Sequence, residues 1–523
     1  MLINLENTTK ETLQSLATAD FTIVGAGAAG ILLATKLTKK GFKVHLIESG
    51  DLNINKEAQN KVISDNKKIK DSAINGRKRI VGGTTTKWGG QSLPFDKIDF
   101  LSRDWINSSG WPITYEEINS FYNEANHFMG IDQYGYGQSL LNKLKFKNPF
   151  FNNTDLKYRL SKWAPEPNFY KKYKSEITSN YTTIYNGMVT KITFSKDKLV
   201  SSIKLRNTKN QEYQINVNNL IITCGGIEST RILMINLPKK PRSLGIGFME
   251  HLHINVGSIS VSKLFSFQRL FNTKFHNLRK FTVRLMPSET LQKKEKLVNC
   301  SALFDFLSTN KFNAKREAYS LLKRIGFNCK KYNYKIPTFN IIKLLRIIIS
   351  LAKSVFTLIF YRFYYAPENS KINLNVIAEQ IPNKHNKITL AKEKDLHGNR
   401  LAKIEWNIPK ISWRSIVIFS NKLKYHLENI DGVKVTLNEG IQIENLEYSK
   451  YIDPLYHHMG GCRMSEKLND GVVNRDLQVW GHLNLYVCSS AVFPTSSHSN
   501  PTLTILALAC RLANKLSKYK RKY

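Results

Sequence analysis

The sequence predicts an α/β fold: a Rossmann-like domain assembled from separated segments, plus an α+β part whose mainly antiparallel sheet is covered by helices. Three observations predict it. FTIVGAGAAG (21–30) is an apolar strand running into glycines, and the helical pattern ILLATKLTKKG follows, closed by Gly41. Pieces of the same kind return near residue 220 and at the C-terminal end. Alternating segments between them read as antiparallel strands. A domain made of three distant segments leaves the intervening chain as insertions that build a second domain. The expected division is 1–110, 180–250 and 450–523 for the first domain, and 111–179 and 251–449 for the second.

Along the chain, residues 1–19 are polar and peripheral, KVHLIES (43–49) reads as the second strand, and 50–80 as loop. Residues 100–180 show no clear period. TTIYNGMVTKITF (182–194), KLVSSIKLRN (198–207) and QEYQINVNNLIITC (211–224) alternate as strands, and 227–236 is helical. Strands are expected again at 253–263 and 371–391, a long apolar helix at 340–365, and strand, loop and helix at the end.

Composition narrows the class. The 523 residues are 42% hydrophobic and 23% charged, which excludes a wholly disordered chain. Six cysteines lie far apart without a CxxC pair, against a disulfide scaffold, a zinc ribbon or another metal site, and for a reducing compartment. The N-terminus has neither a basic nor an apolar signal region, so a cytoplasmic protein is expected. Lys and Arg number 78 against 40 Asp and Glu, a net charge of +38. Such a field draws polyanions, or else reflects lysines spread over solvated faces. No nucleic-acid-binding signature accompanies it.

Gly25-x-Gly27-x-x-Gly30 stands between strand and helix. The first glycine allows the turn, the second a close pyrophosphate, and the third helix–strand packing, with the helix N-terminus facing the phosphates. Glu48 ends the second strand, where a carboxylate accepts both ribose hydroxyls and repels a 2′-phosphate. NAD and FAD both remain open on this pattern. GGTTTKWGG (82–90) packs four glycines, three threonines and Trp88 into nine residues, which suits an extended cofactor running past a loop, or an ordinary turn anchored by Trp88.

Together these elements resemble the glucose–methanol–choline (GMC) family of FAD-dependent oxidoreductases. GWPIT (110–114), CGGIESTRILM (224–234) and GFMEHLH (247–253) are similar to family stretches. YHHMGGCRM (456–464) and VCSSAVFPTSSHSNPTLTILALACRLA (487–513) are the strongest anchors, and 264–370 carries no family pattern. The resemblance implies oxidation of an alcohol, with the proton passing to a base and the hydride to flavin N5. His457 matches the catalytic histidine and Asn500 the second catalytic position; His458 would take the role if the register slips by one. Asn500 before Pro501 is also an ordinary helix start, and that helix would aim its positive end at the flavin. Gly82, Gly83, Thr84, Trp88, Gly89, Val189, Ala491, Pro501 and Thr502 match cofactor-contacting positions. His498 is read as a pocket-wall residue, Arg463 and Arg511 as structural, and Cys462 as packing. Some relatives attach FAD through a histidine where this chain has Lys87, so non-covalent FAD is expected. A small alcohol of sugar type is favoured, with sugar derivatives, polyols and sterols open, and a dehydrogenase is favoured over an oxidase, with oxygen, a quinone or a carrier protein open as electron acceptor. A flavin-containing lyase of the same family and an NAD-dependent dehydrogenase are the alternatives.

The helix at 340–365 is too interrupted to span a bilayer: its longest charge-free run, Ser354 to Tyr361, is 8 residues. Lys343, Arg346, Ser350, Lys353, Ser354 and Thr357 share one arc. That stripe suits peripheral docking on an anionic inner membrane face, or a core helix with only its stripe wet.

Overall fold

The computed structural model describes residues 1–518 other than 57, 60, 309–340, 368–369 and 444. Its first sheet is six-stranded and wholly parallel, in the order Leu2–Asn4, Thr182–Tyr185, Val44–Ile47, Phe21–Val24, Leu220–Ile222, Leu485–Val487. Four widely separated stretches of chain therefore meet in one layer. Phe21–Val24 and Val44–Ile47 are buried at every position, which is why they read as continuous apolar runs. Strand order reverses at Phe21–Val24, where an open α/β sheet leaves a crevice beyond the strand ends. Helices Ala28–Lys39 and Pro501–Leu516 pack together beside it.

The second sheet is antiparallel. Its main path runs Val433–Leu437, Leu252–Val261, Ser370–Ala378, Cys300–Ser308, Arg279–Pro287, Leu156–Trp163, Gln91–Ser92. Helix Lys410–Glu428 lays Trp413, Ile416, Val417, Phe419, Leu423 and Leu427 against it. The Rossmann-like and helix-covered antiparallel layers expected from the sequence are both present.

Several boundaries differ, for identifiable reasons. The stretch 182–194 breaks at Asn186, with φ 59°, so that Thr182–Tyr185 enters the parallel sheet and Met188–Phe194 an antiparallel one. The stretch 371–391 divides likewise: Ser370–Ala378 joins the large sheet, and Lys387–Lys394 pairs with Arg400–Glu405. The loop expected at 50–80 contains helix Lys67–Asn75, capped by Asn66; its lysines masked the buried Ile69 and Ala73. Within 100–180, helix Tyr115–Met129 opens on a capping box of Thr114 and Glu117 and closes at Gly130, a signature the aperiodic reading passed over.

The apolar helix also sits differently from its core reading. It runs Ile341–Phe356 and continues as Thr357–Tyr361. Thr357 is buried and Ser350 and Ser354 half-buried, whereas Leu345, Ile348, Ile349, Val355, Phe356, Ile359 and Phe360 are 51–67% exposed. The hydroxyl stripe turns inward and bonds along its own helix, while the apolar arc faces outward. Lys353 is exposed with the apolar arc.

At the end of strand Ser370–Ala378 lies a fully buried ion pair. Arg103, just beyond helix Lys97–Phe100, donates two hydrogen bonds, of 2.8 and 2.6 Å, to Glu379 at the end of Ser370–Ala378. Glu379 also accepts the Asn299 amide at 3.0 Å. Removing one partner strands a buried charge. Glu379→Ala should therefore lower unfolding stability by about 3–5 kcal/mol, read as an earlier denaturant midpoint; an unchanged midpoint would show the pair to be dispensable.

Candidate active site

A cavity of ≈ 600 Å³ opens at the strand ends of the parallel sheet. Its floor is built by close backbone packing. A Cβ on Gly30 would stand 2.0 Å from the Gly25 carbonyl oxygen, so no side chain fits between this helix and its turn. Gly83, with φ 57°, would place a Cβ 2.9 Å from the Gly27 Cα, and the Gly82 amide donates to the Ala26 carbonyl at 2.8 Å. The two glycine-rich stretches thus lie one on the other. Gly27 itself has open space where its Cβ would be, on the cavity wall.

Glu48 is buried on that wall, accepting the Ala26 amide at 3.0 Å and the Gly50 amide at 2.8 Å. Burial pushes its carboxyl above the usual range, opposed by the two amides and by Arg79. Arg77 lines the cavity, and both terminal guanidinium nitrogens are buried without a hydrogen-bond partner, Nη1 being 3.8 Å from Glu228. Burial lowers it to about 10. A phosphate-bearing dinucleotide fits this set: an open glycine turn and the two unpartnered terminal nitrogens of Arg77 to donate, and the buried Glu48 carboxylate to accept, in one cleft.

The sequence-selected residues distribute clearly. Gly25, Gly27, Glu48, Gly83, Thr84, Trp88, Gly89, Val189, His457, Asn500, Pro501 and Thr502 line the cavity, as does Lys87. Gly30 and Gly82 stand behind it as packing and turn positions. Ala491 is buried in the turn Ser490–Val492, outside the lining. Trp88 donates to the Pro167 carbonyl at 2.7 Å and meets Phe169 edge-on, so it is both anchor and wall.

At one end of the cavity, Pro501–Leu516 begins with Asn500 at its N-cap, but the Asn500 side chain caps nothing. It turns instead to His457, with Nδ2 3.3 Å from Nε2. His457 Nδ1 lies 2.9 Å from His251 Nδ1, and the His457 amide donates to Glu250 at 2.6 Å. His458 also lines the cavity, but its Nε2 is engaged away from Asn500, 3.2 Å from the Ser72 hydroxyl and 3.4 Å from Glu250. The register His457 with Asn500 is the one brought together. Burial, then the neighbouring His251, His458 and Arg284, hold the His457 pKa well below that of free histidine. Burial likewise raises Glu250 to about 7 and lowers His458 to about 3.

His498 is buried outside the cavity lining, with both ring nitrogens unpartnered. Arg463 and Arg511 hold backbone carbonyls, of Pro494 and Arg475. Cys462 is buried, 3.4 Å from the Thr230 hydroxyl. Among the described residues no cluster could hold a metal ion. Sequence reasoning missed Arg77, Glu250 and His251; the Glu-His pair inside GFMEHLH was the available signal for the last two.

The parallel sheet, its glycine turn and the cavity at its strand ends define a dinucleotide-binding architecture. Residues 23–52 match the family model for an NAD(P)-binding Rossmann-like domain, and 382–509 match that for GMC oxidoreductases. The fructose dehydrogenase large subunit of Gluconobacter japonicus is 21% identical over 583 aligned positions, covering 95% of this chain and 97% of that one. An FAD-dependent oxidoreductase from Chaetomium thermophilum superimposes with TM-score 0.56 and 14% identity, covering 95% of this chain and 98% of that one. Pyridoxine 4-oxidase from Mesorbium loti gives 0.53 and 13%, covering 96% and 100%. The chain carries the GMC oxidoreductase C-terminal domain behind a Rossmann-like segment, and the resemblance read from its motifs is borne out.

The unsatisfied guanidinium makes a direct forecast. Arg77→Ala should weaken dinucleotide binding roughly 10- to 100-fold, as one charge-assisted contact is lost. Equilibrium dialysis measures it, and unchanged affinity would place the phosphates elsewhere.

Proposed function

We propose that the chain oxidises the CH–OH group of a small alcohol, a sugar or related polyol, with FAD held non-covalently along the cavity. In this reading the segments 1–110, 180–250 and 450–523 carry the cofactor, and 111–179 and 251–449 frame the substrate. Gly25, Gly27 and Arg77 would hold the phosphates, Glu48 the ribose, and Gly83, Thr84, Trp88 and Gly89 the extended flavin side. Lys87, standing where a covalent link would need histidine, leaves the cofactor free. FAD supplies the hydride acceptor.

The observation that carries the reading is the pair His457 and Asn500, 3.3 Å apart at the mouth of Pro501–Leu516 beside the dinucleotide cavity. His457 Nε2 takes the hydroxyl proton, and the Asn500 amide donates to the substrate oxygen. The helix N-terminus adds positive potential where negative charge develops. The relative spanning nearly the whole chain is named a dehydrogenase, which supports transfer to a quinone or carrier protein over oxygen.

His457→Ala should slow alcohol oxidation by roughly 10²- to 10⁴-fold with FAD retained, and Asn500→Ala by about 10- to 10³-fold. A mild His457→Ala with a severe His458→Ala would move the base by one residue. A base acts only when unprotonated, so the depressed His457 pKa places the acid limb of kcat/KM below pH 6.5. A limb at or above 6.5 would assign it to another group.

We also propose peripheral docking on the inner face of an anionic membrane through the outward apolar arc of Ile341–Tyr361. The support is that arc's exposure, the net charge of +38 and the basic Lys353 beside it. Among the described residues no helix is long and apolar enough to cross a membrane. The protein should sediment with anionic vesicles at low salt and less with neutral ones; equal recovery in the supernatant with both would reject docking.

A further inference from the structure

The proton positions around His457 are decided by a group that cannot donate. His251 is fully buried, and its Nε2 lies 3.1 Å from the carbonyl oxygen of Ser496. A carbonyl only accepts, so the hydrogen of that bond belongs to His251 Nε2. Burial lowers His251 to about 4, which leaves it a single ring proton at neutral pH. Its Nδ1 is then a bare lone pair.

That lone pair faces His457 Nδ1 across 2.9 Å. Two nitrogens at this distance need one hydrogen between them, and it can come only from His457. A neutral His457 protonated at Nδ1 presents a bare Nε2, which is the atom beside the Asn500 amide on the cavity wall. The opposite tautomer would set two lone pairs against each other at the His251 end. Glu250 fixes the spacing, since its Oε1 accepts both backbone amides, from His457 at 2.6 Å and from His251 at 2.9 Å.

We propose that His251 is a positioning residue that locks His457 in the Nδ1–H tautomer and so delivers a bare Nε2 to the substrate hydroxyl. The inference rests on the reading of His457 as the base. When the O–H bond breaks, the Nε2 lone pair forms the new N–H bond. The cationic ring that results keeps its Nδ1–H directed at the His251 lone pair, while His251 Nε2–H stays on the Ser496 carbonyl. Without His251, the ring is free to populate the Nε2–H form, which cannot accept a proton from substrate.

The test is nitrogen NMR of the ¹⁵N-histidine-labelled full-length protein, with His457 identified by its loss in His457→Gln. His457 should show a protonated Nδ1 and an unprotonated Nε2. His251→Leu should give Nε2–H at His457 and lower kcat by roughly 10²- to 10⁴-fold, the contribution of a positioned base, with KM nearly unchanged. His251→Asn, whose side-chain oxygen can replace the lone pair, should keep the tautomer and most of kcat. A protonated Nε2 in the unaltered protein, or His251→Leu with tautomer and kcat both retained, would overturn the proposal. The NMR reads the tautomer without turnover. A protein with the expected tautomer that oxidises no alcohol would therefore sink the base reading and leave the lock standing.

Discussion

The buried carboxylate of Glu250 is the constraint on which the histidine side of the cavity depends. One of its oxygens accepts the backbone amides of His251 and His457, and the other lies near Ser72 and His458. It thereby ties residues 247–253 to 456–464, two stretches some two hundred positions apart. Met249 and Met459 reinforce the junction with a reciprocal pair of backbone hydrogen bonds, of 2.8 and 2.9 Å. A carboxyl with no exposure is costly unless its lone pairs are filled, and here two backbone amides fill one oxygen and the Ser72 hydroxyl donates to the other. Because the two amides belong to His251 and His457, satisfying that oxygen also holds their backbones together.

The cofactor end rests on a different kind of constraint, the exclusion of side chains. Gly30 and Gly83 sit where a Cβ would strike backbone atoms, so the two glycine-rich stretches can stack. The same stacking brings Glu48, Arg77 and the turn at Gly25 to one cavity. Asn500 links the ends. Its backbone starts Pro501–Leu516, and its side chain, unused as a cap, reaches His457.

These features were unequally legible in the sequence. The glycine spacing and Glu48 could be read because each answers a local steric or electrostatic demand within thirty residues. His457 and Asn500 were reached through family motifs, since only the folded chain makes them neighbours. Glu250 and His251 carried no periodic signal: their roles exist only once the two distant stretches meet. Arg77 looked like one more basic residue in NGRKRI, and burial alone sets it apart. The helix Ile341–Phe356 shows the limit of periodicity, which located its polar arc and not the side that faces the protein.

The central claim is that an alcohol gives its hydride to a flavin in this cavity while His457 takes the proton. Anaerobic mixing of the purified yellow protein with a panel of sugars and polyols, without added nicotinamide cofactor, tests it most directly. The account predicts that at least one such alcohol bleaches the flavin absorbance stoichiometrically. Flavin that stays oxidised with every alcohol, while the protein cleaves a cyanohydrin or turns over only with NAD, would contradict it.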